Sequence, residues 1–137
     1  LEGKNARYLV PGDLPGPVDL VVADVSFISL RLILPPLPPL LLPGADVVVL
    51  VKPQFEVGKD DVGKGGIVRD PEKHLGALRS VAAAAAAAGF GVRGACASPI
   101  TGAEGNREFF LHLAPAPAER LAGDALDRLL RGAVHGV

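Results

Sequence analysis

Two runs of apolar residues, each ending in a charged side chain, stand out in the first half of the chain. The first run spans residues 18–24 and ends in Asp24, and the second spans residues 46–52 and ends in Lys52. Both runs are continuous rather than alternating, a pattern typical of parallel strands that helices cover on both faces of a sheet. The pattern therefore predicts two neighbouring parallel strands with these two charged residues at their carboxyl ends.

The segment between the two strands predicts a crossover helix that is interrupted early. Residues 29–42 are apolar enough to form a helix, but five prolines punctuate this stretch and its end: Pro35, Pro36, Pro38, Pro39 and Pro43. An interior proline removes a hydrogen bond and clashes with the preceding turn, at a cost of ~3 kcal/mol. We therefore expect a short helix near residues 30–34, followed by a broken segment.

A clearer helix is predicted to begin after residue 70. Asp70 is placed to cap it, Pro71 occupies the first helical position, and Glu72 suits the positive end of the helix dipole. The alanine tract at residues 82–88 continues the helix because alanine is the strongest helix former, and Gly89 ends it.

The second half of the chain completes an alternation of strands and helices. Residues 91–98 and 108–113 predict two further strands, and residues 118–131 predict a terminal amphipathic helix. Residues 57–66 are rich in glycine and charge and predict a poorly ordered loop. This order of elements is typical of an α/β fold, and 137 residues suffice for one domain spanning residues 1–137. Ligands of such sheets bind beyond the carboxyl ends of the strands.

Composition favours a cytoplasmic protein without a membrane partner. The longest apolar stretches are interrupted before the ~18 residues that a membrane helix needs, and no basic and then apolar signal segment opens the chain. A single cysteine, Cys96, excludes an internal disulfide and fits a reducing compartment. We expect its side chain to be buried as a small apolar group.

Charge and histidine spacing narrow the possible chemistry. The 14 lysines and arginines balance 15 acidic residues, so charge alone does not argue for nucleic-acid binding. The three histidines lie far apart and lack metal-ligand spacing, so the sequence predicts no metal site. We expect His74 on a solvated helix face, His112 on a strand and His135 in a loose tail.

Three charged residues remain as candidates for chemistry, each with a structural alternative. Asp24 is either the cap of the next helix or a functional carboxylate, and nearby serines offer other caps. Lys52 is either a solvated strand end or an amine whose proton affinity neighbouring carboxylates adjust, which is useful for acting on a hydroxyl. Glu108 is an edge residue, a partner of Arg107, or a third member of a cluster with the other two.

Five stretches of the chain form an ordered set of motifs that covers nearly all of it up to His112. The most specific are Asp-Val-Ser-Phe-Ile-Ser, which begins at Asp24, and Lys-Pro-Gln-Phe-Glu, which begins at Lys52. The other stretches span residues 5–8, 62–71 and 105–109. Together they resemble the hemolysin A (TlyA) family of FtsJ-like ribosomal RNA ribose methyltransferases.

The resemblance implies a Rossmann-like methyltransferase fold that uses S-adenosylmethionine. It also implies a Lys–Asp–Lys–Glu tetrad acting on a ribose 2′-hydroxyl, three members of which map onto Asp24, Lys52 and Glu108. Lys52 would take or position the hydroxyl proton, while the two carboxylates hold the lysine and orient the ribose. Ribosomal RNA or a ribosomal subunit would be the partner. Part of the cofactor pocket would come from Asp24, Val25, Ser26 and Phe27.

The resemblance further implies that residues 1–137 form a truncated methyltransferase domain. The family's first lysine, its glycine-rich cofactor loop and its S4-type RNA-binding domain would all precede Leu1. The chain would then hold about the fourth to seventh strands of the sheet with their flanking helices. We therefore expect an active parent protein and an inactive isolated chain, whose exposed strand at residues 18–24 favours self-association. A membrane-active hemolysin and a non-catalytic RNA-binding remnant are the alternatives.

Overall fold

A four-stranded sheet with helices against it forms the centre of the computed structural model, which describes residues 1–115 and 121–136. The confirmed class is α/β, with strands in the spatial order β1-β2-β4-β3. The strands are β1 (Val18–Ala23), β2 (Leu41–Val51), β3 (Phe90–Ala97) and β4 (Phe109–Pro115), and the helices are α1 (Leu30–Ile33), α2 (Pro71–Ala87) and α3 (Gly123–His135).

The sheet is mixed rather than wholly parallel. β1 and β2 are parallel neighbours, as the two apolar runs predicted, and Ala23 pairs with Val49. β4 runs antiparallel to both β2 and β3, so the expectation of a parallel sheet is wrong for this half. The connection from β3 to β4 holds no crossover helix, and parallel pairing of consecutive strands requires a crossover. The short connection therefore favours the antiparallel arrangement.

One face of the sheet and the three helices enclose the apolar core. Alternate residues of β2 point into it, because successive side chains of a strand face opposite ways. The core residues include Val47, Val49 and Val51 of β2, Leu30 and Ile33 of α1, Leu75, Leu78 and Val81 of α2, and Leu111 and Leu113 of β4. All of these are at most 4% exposed, so water is excluded from the layer between the sheet and the helices.

The opposite face of the sheet lacks such a cover within the described residues. On β1, Leu20 and Val22 are exposed, Val22 by 73%. On β2, Val48 and Leu50 are only half-buried. The expectation that both apolar strands are buried on both faces is therefore wrong for the described part of the chain. Cys96 lies beside Phe110 on this same face and is exposed, so its predicted burial is also wrong.

The helix boundaries follow the capping signals where those signals are local. Ser29 caps α1 by accepting a hydrogen bond from the Arg31 backbone N–H at 3.1 Å, and the helix covers four of the five residues predicted. Asp70 caps α2 through the Glu72 N–H at 2.9 Å, as predicted. None of the helices in the described ranges is long and apolar enough to span a membrane.

The terminal helix differs from the prediction at both ends. It was expected over residues 118–131, of which 118–120 lie outside the described residues. α3 begins instead at Gly123 and continues to His135, which was expected in a loose tail. Gly136 ends the helix in the left-handed conformation, with φ of 74°.

His74 is buried, contrary to the expectation of a solvated helix face. It is 2% exposed, and its Nε2 lies 2.7 Å from the carbonyl oxygen of Val68. The ring also lies 5.4 Å from that of Phe109. Because Nε2 donates to a carbonyl, Nδ1 carries no proton, and it has no partner among the described residues. A second proton on Nδ1 would therefore be buried without an acceptor.

This burial makes stability depend on pH. Desolvation lowers the pKa of His74 below its ordinary value of 6.5, outweighing the Val68 carbonyl, which raises it. The unfolded chain then binds the proton more readily, so the His74 contribution to stability is present above pH 6.5 and is lost as pH falls below it. We predict that urea unfolding of the parent loses more free energy between pH 7.5 and pH 5 than unfolding of His74→Phe does. Equal losses in both proteins would contradict this assignment.

Candidate functional site

Asp24 and Lys52 meet at one edge of the sheet. Each directly follows its strand, and because β1 and β2 are parallel, both carboxyl ends lie at this edge. Lys52 Nζ lies 2.5 Å from Asp24 Oδ1, which makes a direct ion pair. The Lys52 side chain is largely buried, whereas the Asp24 side chain is 67% exposed, so the pair is open to ligands on the carboxylate side.

Asp24 does not cap the helix that follows it. The N-terminus of α1 is satisfied by Ser29 and by Glu56, whose carboxylate accepts from the Leu30 N–H at 2.8 Å and from the Ser29 hydroxyl at 2.6 Å. Burial raises the pKa of Glu56, while these two hydrogen bonds act in the opposite direction. The capping alternative for Asp24 is therefore wrong. The Asp24 carboxylate is instead held by its ion pair with Lys52.

Glu108 joins this edge because β4 is antiparallel. Val51, the last residue of β2, pairs with Phe109, the first residue of β4, so continuing the register by one step sets Lys52 opposite Glu108. Glu108 is 7% exposed. Burial raises the pKa of its carboxyl group; Lys52 lowers that pKa and Asp24 raises it, so both charged groups of the neighbouring strand ends act on Glu108.

The alternative that pairs Glu108 with Arg107 has no support in the geometry. The Arg107 guanidinium donates to the carbonyl of Val134 at 2.9 Å and lies 5.1 Å from the centre of the Phe109 ring. Arg107 therefore anchors α3 to the start of β4, and Glu108 faces the edge that carries Lys52.

Residues 24–27, predicted to form part of a cofactor pocket, border the same cluster. The Ser26 hydroxyl accepts a hydrogen bond from Lys52 Nζ at 3.1 Å, and Val25 is half-buried. Phe27 adopts a φ of 62°, which is strained for a residue other than glycine. Its side chain is 90% exposed and touches Phe55, with ring centres 4.9 Å apart. An exposed aromatic in a strained turn beside charged groups is typical of a binding site.

Two polar residues of this region were missed by the sequence reasoning. Gln54 forms a side-chain hydrogen bond with Glu108 that lowers the pKa of that carboxyl group. The Gln54 Oε1 is buried and has no partner in the part of the chain that the structure describes. Asn106, the second residue, is 1% exposed. Both lie inside the motifs that carry the family resemblance. The sequence feature that could have identified them is a polar side chain next to a predicted buried strand.

Asn106 ties the start of β4 to the 57–66 loop. Its Oδ1 accepts from the Val68 N–H at 3.0 Å, and its Nδ2 donates to the carbonyls of Gly66 at 2.8 Å and Ala103 at 3.1 Å. The loop contains a short 3₁₀ turn at Lys59–Asp61. Its poor order remains a prediction, but its end is attached to the turn that leads into Glu108.

The described residues hold no group of three or more histidine, cysteine or acidic side chains arranged for a metal ion. His112 instead pairs with Asp46, with Nε2 2.7 Å from Oδ1, on the face of the sheet that the helices leave open. The candidate site is the cluster of Asp24, Lys52 and Glu108 at the carboxyl edge of the sheet.

Comparison with known proteins identifies the family of this chain. The profile of the FtsJ-like methyltransferase family matches residues 1–114, most of the chain. The chain belongs to this family. It is 46% identical over 134 residues to TlyA of Mycobacterium tuberculosis, named a 16S/23S rRNA (cytidine-2′-O)-methyltransferase, covering 98% of this chain and 50% of that protein.

Other relatives are named either as rRNA methyltransferases or as hemolysins. The proposed rRNA methyltransferase YqxC of Bacillus subtilis is 53% identical over 114 residues, covering 82% of this chain and 41% of the relative. A solved structure of a proposed hemolysin from Streptococcus thermophilus superposes with a TM-score of 0.89 and 42% identity, covering 97% of this chain and 47% of that one. The FtsJ-like chain thus spans about half the length of the relatives it matches.

Asn106 is predicted to stabilise the site region measurably. Asn106→Ala removes three hydrogen bonds and leaves the buried Val68 N–H without its acceptor, which should cost about 2–3 kcal/mol of unfolding free energy in urea. Amide exchange at Val68 should accelerate in the same variant. Asn5→Ala is the matched control, because Asn5 is exposed and makes one local hydrogen bond. A loss under about 0.5 kcal/mol for Asn106→Ala would contradict the anchoring role.

Proposed function

We propose that these residues form the catalytic half of an S-adenosylmethionine-dependent methyltransferase that modifies a ribose 2′-hydroxyl of ribosomal RNA. The observation that carries the proposal is the position of the Lys52 amine, 2.5 Å from Asp24 and in register with Glu108 across the sheet. The name of TlyA, an rRNA (cytidine-2′-O)-methyltransferase, supports the same reaction class. A ribosomal substrate also implies a cytoplasmic location.

Lys52 is the group proposed to handle the hydroxyl proton. A ribose hydroxyl is a weak nucleophile, so the protein must position it and remove its proton. A lysine ammonium has three N–H donors, and the described contacts direct two of them to Asp24 and Ser26. The third proton is the one that Lys52 must lose to solvent before reaction, because only the neutral amine has a lone pair that can accept the ribose hydroxyl proton. Asp24 holds the amine by a direct ion pair and Glu108 interacts with it electrostatically from the neighbouring strand, so the ribose oxygen meets a fixed group.

Residues 24–27 fit one wall of a cofactor pocket. This segment leaves β1 at the carboxyl edge, where ligands of α/β sheets bind, and the side chains of Ser26 and Phe27 stay exposed there. S-adenosylmethionine, when bound, supplies an electrophilic methyl group. Residues 24–27 supply one wall only, and the chain spans about half the length of the relatives it matches, so we propose that the 137-residue chain is inactive by itself.

The aromatic pair beside the cluster, in which Phe27 is exposed and Phe55 is half-buried, suits a nucleotide substrate. Proteins recognise unpaired RNA bases by stacking them on aromatic side chains, and Phe27 and Phe55 present such a surface next to Lys52. This surface favours RNA over a substrate without bases.

Membrane lysis is the rival function, because Hemolysin A of Brachyspira hyodysenteriae is 40% identical over 93 residues, covering 68% of this chain and 39% of that protein. Membrane lysis does not require the Asp24–Lys52–Glu108 cluster, whereas removal of a hydroxyl proton assigns a role to each of the three residues. Dye leakage from phosphatidylcholine vesicles caused by this chain, and unchanged in Lys52→Ala, would favour the rival function.

Methyl transfer can be tested in a chimera in which this chain replaces the matching 134 residues of TlyA. We predict that the chimera methylates ribosomal RNA and that Lys52→Ala lowers its rate about 10²- to 10⁴-fold, the usual contribution of a general base. Lys52→Arg should be equally inactive, since it keeps the charge but does not release a proton. The measurement is incorporation of tritiated methyl groups.

Lys4→Ala is the matched control, because Lys4 pairs with Asp13 and lies outside the cluster. A folded chimera in which Lys52→Ala keeps the parent rate would overturn the proposed role of Lys52 and favour a non-catalytic RNA-binding remnant. The 137-residue chain assayed alone should give no incorporation.

We also propose that the chain associates with itself through β1. This strand pairs with β2 on one side and is an edge of the sheet on the other. Exposed apolar edge strands readily pair with another chain, and a charged side chain on the edge opposes this.

Val22→Lys should therefore shift the chain towards monomer in sedimentation velocity at high concentration. Val22 is 73% exposed, and Ile100→Lys is the matched control because Ile100 is 74% exposed and lies in a loop away from β1. A parent chain that stays monomeric at every concentration would refute self-association.

A further inference from the structure

Gly102 lies directly against the carboxylate of Glu108. A Cβ atom added at Gly102 would overlap the Glu108 Oε2 and Cδ atoms and would lie 2.8 Å from Oε1. The overlap involves all three atoms of the carboxylate group, so relieving it requires the Glu108 side chain to move. The Glu108 side chain thus occupies the volume that any other residue at position 102 would need.

The backbone conformation at position 102 does not explain the glycine. Its φ is −90°, which residues with side chains adopt freely. Several other glycines of the chain need their positive φ, and an added Cβ would meet nothing there; examples are Gly44, Gly65 and Gly89. Gly102 is the opposite case, because its conformation is ordinary and the space beside it is occupied.

The turn that carries Gly102 is rigidly held. The Gly102 N–H donates to the Asn106 carbonyl at 2.8 Å, and the Gly102 carbonyl accepts from the Gly105 N–H at 3.2 Å. Asn106 is itself anchored by its buried side chain. The Glu108 backbone is fixed too, since its carbonyl accepts from the Ser98 N–H at 2.8 Å. The backbone is therefore fixed on both sides of the Gly102–Glu108 contact, so a side chain at position 102 would be accommodated by displacing the Glu108 side chain.

We propose that Gly102 is a positioning residue, which holds the Glu108 carboxylate towards Lys52 by giving it the space that a side chain would fill. This role rests on the proposed function only for its catalytic consequence. The contact itself is a property of the fold. Gln54 completes the enclosure by forming a hydrogen bond with the same carboxylate.

The first test measures the carboxyl group directly in the 137-residue chain. Burial is the main cause that raises the Glu108 pKa, so displacing the carboxylate from beneath Gly102 should lower that pKa towards its ordinary value. We predict this shift for Gly102→Ala in a ¹³C NMR titration of the glutamate carboxyl carbons. Gly12→Ala is the control, because a Cβ there meets nothing within 4 Å. An unchanged Glu108 pKa in folded Gly102→Ala would overturn the proposal.

Gln54→Ala is a second variant that leaves the turn intact. It should shift the Glu108 pKa in the opposite direction to Gly102→Ala. Its hydrogen bond lowers the Glu108 pKa, so removing it should raise the pKa. If Gly102→Ala does not fold, the comparison moves to the Glu108→Ala background. The alanine at 102 should be tolerated there, because the competing carboxylate is gone. The same loss of folding with and without Glu108 would overturn the proposal.

The catalytic consequence is read in the TlyA chimera. Gly102→Ala should lower kcat about 10²-fold, with a displaced pH profile and little change in KM for RNA, because misplacing a catalytic group by ~1 Å has this effect. A raised KM with unchanged kcat would overturn the positioning role. If Lys52→Ala kept its activity, the proposed function would fail while the shifted Glu108 pKa would still establish the contact.

Discussion

The antiparallel pairing of β4 with β2 is the constraint on which the site depends. Asp24 and Lys52 share an edge because their strands are parallel, but the third charged residue precedes its strand instead of following it. Glu108 reaches the same edge only because β4 starts where β2 ends. With β4 reversed, its seven residues would set Glu108 roughly 20 Å away, at the far end of the sheet.

The apolar core fixes the register on which this pairing relies. Val51 and Phe109 are paired and fully buried, and they are the last pair before Lys52 and Glu108. A slip of one residue would turn every buried side chain of β4 to the open face, at a cost of roughly 1.5–3 kcal/mol for each large side chain exposed. The packing that stabilises the domain therefore also sets the spacing of its charged groups.

Local sequence patterns predicted the elements whose causes are local. The two apolar runs, the proline-limited α1 and the capped start of α2 all follow from neighbouring residues, and so does the placement of Asp24 and Lys52 at strand ends. The missed features depend on partners distant in sequence. Asn106 bonds to Val68 across 38 residues, and the direction of β4 depends on which strand it joins. The assignment of Glu108 to the cluster rests on the family motif, because the neighbouring sequence is equally typical of an ordinary residue at the edge of a strand.

The turn before β4 connects the carboxylate to the 57–66 loop through a single side chain. Asn106 closes the turn that gives Glu108 its space, and the same amide holds Gly66 and Val68 at the end of the loop. The backbone carbonyl of Asn106 also accepts the Gly102 N–H. Since Gly102 and Glu108 are in contact, a shift of that turn changes the space available to the carboxylate. The loop and the charged cluster are therefore linked by three consecutive contacts, from Gly66 to Asn106, from Asn106 to Gly102 and from Gly102 to Glu108, and each involves a buried or tightly packed group.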